Sequence, residues 1–199
     1  MIFVTGCARS GTTLITRMLE ACGANLGEAG SLAEHMPFKE KVLKPYLRRC
    51  NADPLGQNPL PDEMNLPVYD TLRSDIDAVT PYADVIKDVK TALIWPKMVE
   101  AFPDAKWVIV YRDPKKIAQS CVRTSFMSAY GDEPEWENWA KEYHRRCTDL
   151  SYAADTHTVV TSDVIEDVEQ LRITVEWLGF DFDPDVARKV IRKSKWHGG

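Results

Sequence analysis

Short unbroken apolar runs punctuate the chain. Ile2-Phe3-Val4, Val85-Ile86 and Trp107-Val108-Ile109-Val110 are rich in β-branched and aromatic residues, the pattern of strands buried on both faces of a parallel sheet. The second of these ends near Lys87, the third spans residues 106–111, and residues 158–161 predict a further short strand. Between them the apolar positions recur at helical spacing. Leu14, Ile15, Met18, Leu19 and Cys22 line one face, with Gly23 as the stop. Residues 38–50 predict a helix on Phe38, Val42 and Leu43, with Pro45 as a kink or restart. Residues 91–102 predict another, with Pro96 inside it. Asp113 and Pro114 suit an N-cap and first helical position before Ile117, Ala118, Cys121 and Val122. Residues 135–154 carry a core stripe of Trp136, Trp139, Tyr143, Cys147, Leu150 and Ala154. Residues 163–178 place Val164, Val168, Leu171, Val175 and Leu178 inward before Gly179. A last helix with Val186, Val190 and Ile191 begins at Asp183-Pro184. This alternation predicts an α/β three-layer fold with a mostly parallel central sheet flanked by helices. Ligands of such sheets bind at the C-terminal strand ends.

Two stretches lack either rhythm. Residues 24–36 hold Gly27, Gly30, Glu28, Glu34 and His35 in a turn-rich connection. Residues 51–67 carry Pro54, Pro59, Pro61, Pro67 and Gly56, a loop long enough for a lid or acceptor-binding segment, with a disordered surface excursion as the alternative.

The first strand runs into Gly6-Cys-Ala8-Arg9-Ser10-Gly11-Thr12-Thr13 and then the first helix. Strand, glycine loop and helix form a phosphate cradle, in which loop N–H groups and the positive helix end face an anion. An ATP- or GTP-binding loop would read Gly-x4-Gly-Lys-Ser/Thr, but Thr12 stands at the lysine position and the loop's cation is Arg9.

The chain has 199 residues, 44% of them hydrophobic, which predicts one domain over residues 1–199. A net charge of −5 and the lack of a basic-aromatic stripe disfavour a nucleic-acid partner. No apolar run approaches a membrane span, and the first apolar residues belong to a strand rather than a cleavable leader. Cys7, Cys22, Cys50, Cys121 and Cys147 are odd in number and form no Cys-x-x-Cys pair, as expected of reduced thiols in a cytoplasmic protein. No metal site is expected. Cys7 reads as a small loop-filling residue, with a reactive thiol as the alternative.

Cys-Ala-Arg-Ser-Gly-Thr-Thr-Leu resembles the 5′-phosphosulfate loop of sulfotransferases that use 3′-phosphoadenosine 5′-phosphosulfate (PAPS). It is most similar to the tyrosylprotein and bacterial sulfotransferase-like branches; the cytosolic small-molecule branch usually has lysine at the Arg9 position. The resemblance implies a P-loop fold, PAPS as cofactor, and Ala8, Arg9, Ser10, Gly11, Thr12 and Thr13 around the 5′-phosphate. The family binds the 3′-phosphate with an arginine at a strand end and a serine eight residues later, a spacing that Arg112 and Ser120 reproduce. Lys87-Asp88-Val89-Lys90-Thr91, Trp95-Pro96-Lys97 and Phe102-Pro103-Asp104-Ala105-Lys106 resemble the segment between the two anchors. Val159-Val160-Thr161-Ser162-Asp163 and Glu176-Trp177-Leu178-Gly179-Phe180 resemble the family's later strand and helix end. Residues 51–82 resemble it least. Residues 192–196, a basic stretch, lie where the family has a cofactor segment, and a solvated tail explains them as well.

Sulfuryl transfer asks for positioning and charge stabilisation. Arg9 is the first choice for the cation on the leaving phosphate, with Lys87 helping. The cytosolic branch's histidine is missing, because Lys87-Asp88-Val89 stands where that branch has Lys-Thr-His. As the base, Glu34 ranks ahead of Glu28, with Asp88 and His35 behind. The expected activity is transfer to an acceptor hydroxyl or amine on a sugar, peptide, lipid or small alcohol. The alternatives are a P-loop kinase, in which Asp113 would bind magnesium, and a catalytically degenerate sulfotransferase fold.

Overall fold

The computed structural model of the chain describes residues 1–193. In chain order, β1 (Ile2–Gly6) leads to α1 (Thr12–Ala21). A helical segment follows, made of α2 (Met36–Phe38), a π-helical stretch (Lys39–Leu43) and α3 (Lys44–Arg49). After a long connection come α4 (Leu72–Val79), β2 (Val85–Lys87), a 3-10 turn (Val89–Leu93) and α5 (Trp95–Ala101). Then β3 (Lys106–Tyr111), α6 (Pro114–Val122), α7 (Glu133–Ala153) and β4 (Asp155–Val160) run in succession. The chain closes with α8 (Thr161–Glu166), a 3-10 turn (Val168–Leu171), α9 (Arg172–Leu178) and α10 (Pro184–Lys193). Within the basic stretch, residues 194–196 lie outside the described residues.

The sheet order is β2-β1-β3-β4, all parallel, with Phe3 opposite both Ile86 and Trp107. Alternate side chains pack to opposite faces, as a pleated strand requires. Phe3, Ile86, Trp107 and Ile109 join one core with residues of the π stretch, α5, α6 and α7. Val4, Val85, Val108 and Val110 join the other with α1, α8, α9 and α10. The expected three-layer α/β architecture is therefore present.

The differences from the expected elements have local causes. β4 starts at Asp155 rather than 158, because an edge strand tolerates the half-exposed Thr156 and His157. Residues 91–102 are two elements: Ile94 breaks the 3-10 turn from α5, where Pro96 sits in the first turn and needs no N–H partner. Residues 163–178 are likewise interrupted at Asp167, an extended residue whose carboxylate caps the following 3-10 turn. Val122, the last residue of α6, faces solvent. α7 begins at Glu133, earlier than expected, under an Asp132 cap that accepts from the Glu135 N–H. Residues 51–67 are not a disordered excursion. Trp139 Nε1 and the Tyr143 hydroxyl donate to the Gly56 carbonyl at 3.2 and 2.9 Å, and Arg146 donates to the Pro61 carbonyl at 3.0 Å.

Candidate functional site

The glycine loop leaves β1 at a point where only glycine fits. Gly6 has φ +146°, and a Cβ there would run into the Val110 carbonyl of β3. Arg9 is left-handed at φ 69°, and the Ser10 N–H closes the turn on the Cys7 carbonyl at 3.1 Å. Gly11 has φ +100°; a Cβ there would lie 2.6 Å from the Thr161 side chain. Thr161, at the start of α8, donates its hydroxyl to the Ser10 carbonyl at 2.6 Å. The sequence pattern marked Thr161 as a strand end and missed this brace across the chain. The Ser10 hydroxyl is buried with no partner among the described residues. Thr12 is buried beneath the loop, while Ala8, Gly11 and Thr13 are half-buried at its rim.

Burial, reinforced by Cys121 and Cys147, pushes the Cys7 thiol well above its ordinary value. A thiol in that state fills space and is not a thiolate nucleophile.

The second motif meets the loop directly. Arg9 donates Nε–H to the Ser120 hydroxyl at 3.0 Å, and Arg112 donates to the Arg9 carbonyl at 3.1 Å. Arg112 lies at the end of β3 and Ser120 within α6, so two separated sequence motifs converge on Arg9. Burial lowers the proton affinity of Arg112, and Arg9 and Arg123 lower it further. Guanidinium groups crowded this way favour an anion between them. Among the described residues, Arg9 has no carboxylate partner within salt-bridge distance.

On the other side of β1 is a lysine–carboxylate cluster. Thr91 donates to the Thr5 hydroxyl at 2.9 Å, which fixes the turn after β2 against β1. Lys87, 3% exposed, reaches Glu34 Oε1 at 3.4 Å and the Leu32 carbonyl at 3.2 Å. The Thr13 hydroxyl donates to that same carbonyl at 3.0 Å, so Leu32 joins the cluster to the first turn of α1. Lys39 pairs with Glu34 Oε2 at 2.5 Å, and Lys90 with Asp88 Oδ1 at 2.7 Å. Burial works to raise the Glu34 pKa, but Lys87, Lys90 and Lys39 outweigh it and bring it down to about 2. Burial lowers the Lys87 pKa, with Glu34 and Asp88 opposing.

The remaining candidate bases separate on geometry. Glu28 is exposed and has no part in the lysine cluster. His35 Nδ1 accepts from the Phe38 N–H at 3.3 Å as the cap of α2, and burial lowers its pKa. Asp88 is fully buried and caps the turn after β2 through the Lys90 N–H. Asp113 accepts from the Lys116 N–H at 3.0 Å and serves as the cap of α6. Among the described residues, no helix is long and apolar enough to cross a membrane.

Comparisons with known proteins agree with this architecture. The family model described as Sulfotransferase domain matches residues 1–176. No curated protein matches the sequence significantly. Among solved structures, the sulfotransferase domain from the curacin biosynthetic pathway is similar at TM-score 0.57 and 19% identity, over 94% of this chain and 76% of that one. A sulfotransferase from Mycobacterium tuberculosis is similar at TM-score 0.50 and 16% identity, over 96% of this chain and 70% of that one. At such identities the two structures speak for the fold. The family match covers the glycine loop, both clusters and all four strands, and by it the chain belongs to the sulfotransferase-domain family.

Proposed function

We propose that the chain is one sulfotransferase domain that moves a sulfuryl group from PAPS to an acceptor hydroxyl or amine. The convergence of Arg112 and Ser120 on Arg9 carries this reading. The residues present suit such a donor. Gly6 and Gly11 let the loop turn tightly against β3 and Thr161 where a Cβ would collide, the Ser10 hydroxyl is buried with no partner among the described residues, and Arg9 donates to Ser120 and to no carboxylate among the described residues. Ala8 to Thr13 would hold the 5′-phosphate through backbone N–H groups and the α1 terminus. Arg112 and Ser120 would hold the 3′-phosphate. When bound, PAPS supplies the sulfuryl group and leaves as adenosine 3′,5′-bisphosphate.

Arg9 stabilises negative charge developing on the phosphate side, and Lys87 adds a second cation held in place by Glu34 and Leu32. Glu34 is the carboxylate that serves the acceptor proton, because Glu28 lies outside the cluster and Asp88 and His35 are committed as caps. A pKa of about 2 keeps Glu34 ionised yet makes it a weak base. That same fact favours the second reading, a fold that binds the nucleotide without turnover. The kinase reading loses support because Asp113 is engaged as a helix cap.

The test is transfer of the radiolabelled sulfuryl group from PAPS to an acceptor alcohol or amine, with adenosine 3′,5′-bisphosphate as the other product. Parent protein should turn over, and Arg9→Ala should lower the rate by about a hundredfold or more, the scale of losing one key donor to developing charge. Unchanged turnover in Arg9→Ala would remove Arg9 from the mechanism. Tight bisphosphate binding without turnover in the parent would establish the degenerate fold.

A further inference from the structure

Gln57 is 3% exposed and uses both ends of its amide across a wide sequence gap. Its Nε2 donates to the Phe126 carbonyl at 2.7 Å, and its Oε1 accepts from the Ser128 and Ala129 N–H groups at 3.0 and 3.1 Å. A side chain that satisfies three backbone groups of a distant loop fixes the two loops relative to each other. The loop bearing Gln57 is rigid on its own account. The Asp53 carboxylate accepts from the Leu55 and Gln57 N–H groups at 2.9 and 3.0 Å, and α7 holds the Gly56 carbonyl.

The clasped pair adjoins a residue of each charged cluster. A Cβ on Gly56 would stand 2.8 Å from Lys90 Cγ, so this loop rests on the lysine paired with Asp88. The second loop leaves α6 directly, and Thr124 donates to the Ser120 carbonyl at 2.6 Å. Ser120 is the partner of Arg9. The two loops therefore span from the arginine cluster to the lysine cluster.

What they present is uncharged. Leu55 and Phe126 are 55% and 52% exposed on either side of the clasp. Asp53 is the single charged side chain in residues 51–61, and its oxygens are occupied by backbone N–H groups. Residues 124–131 carry none. An acidic peptide or a uronic saccharide would need cations on this wall, whereas an apolar body needs only exposed hydrocarbon.

We propose that Gln57 is a positioning residue that clasps residues 51–61 and 124–131 into one wall of the acceptor cleft, and that this wall takes the apolar body of an uncharged alcohol or phenol. The inference rests on the sulfotransferase reading and goes beyond it by naming the acceptor class.

The experiment compares β-naphthol, a tyrosine peptide flanked by glutamates and a uronic-acid disaccharide, each titrated into protein saturated with adenosine 3′,5′-bisphosphate and each assayed as acceptor. The parent should bind β-naphthol and prefer it. Leu55→Ser and Phe126→Ser should each weaken its binding and raise its KM about tenfold, the effect expected for lost uniform binding, with kcat little changed. Gln57→Ala should do the same and leave bisphosphate affinity within about twofold, a split that general loss of structure would not give. Preference for the peptide or disaccharide would overturn the proposal, as would an unchanged β-naphthol KM in all three variants. Bisphosphate binding without β-naphthol binding would sink the wall alone, whereas no bisphosphate binding would sink the sulfotransferase reading beneath it.

Discussion

Glu34 is a carboxylate whose strength as an acid is set by three lysines from different parts of the chain. Its pKa of about 2 lies below the ordinary 4.5 of a glutamate, so folding favours the ionised form. A depressed folded-state pKa contributes stability that is fully present above the unfolded value and is lost as pH falls through the folded one. Glu34→Gln should therefore lower the melting temperature at neutral pH, and the gap from the parent should close between about pH 4.5 and 2. Thermal melts across that range check it; a gap that stays constant with pH would mean the ion pairs contribute nothing specific to folding. The resemblance ranked Glu34 ahead of Glu28, and the structure separates the two by burial. Lys39 lies within the same sequence stretch, but Lys87 and Lys90 reach Glu34 only through the pairing of β1 with β2. Arg9, Arg112 and Ser120 were legible as motif residues. Their contact through the Arg9 carbonyl and the Thr161 brace were not, because backbone acceptors leave no mark in side-chain spacing.

At the scale of single elements, buried strands and strong caps were legible and helix interruptions were not. β3 falls on residues 106–111 as expected, since four consecutive apolar residues can only be a strand buried on both faces in this context. The helix through residues 38–50 exists, but its middle is a π stretch that ends at Leu43, two residues before Pro45. A proline lacks the N–H of an α-helical rung and clashes with the carbonyl four residues back, and a widened turn before it relieves both problems. Hydrophobic spacing barely distinguishes such a stretch from an ordinary helix. α6 is the element whose cap bears on the site, since it carries Ser120 toward Arg9. Asp113→Ala should destabilise the protein by about 1 kcal/mol by removing the side-chain acceptor for the Lys116 N–H. In a chain of this size the melting temperature should drop about 2–4 °C. No change would mean that Pro114 and the β3 connection set the helix start by themselves.

The whole molecule gathers cations at one edge of its sheet, those on the β2 side paired with Glu34 and Asp88. Its net charge is −5, yet the C-terminal ends of β1, β2 and β3 collect Arg9, Arg112, Lys87 and Lys90. Four parallel strands with helices on both faces make that edge the natural cleft, and the crossover order β2-β1-β3 puts the glycine loop at its centre. The central claim is that this cleft recognises a nucleotide phosphorylated at both ends of the ribose. The most direct measurement is calorimetric titration of the parent and of Arg112→Ala with adenosine 3′,5′-bisphosphate and, separately, with ATP–Mg2+. The parent should prefer the bisphosphate without metal, and Arg112→Ala should weaken it about 10- to 100-fold, the loss expected for charge-assisted hydrogen bonds to phosphate. Equal or tighter binding of ATP–Mg2+, or an Arg112→Ala variant that holds the bisphosphate as tightly as the parent, would contradict the account.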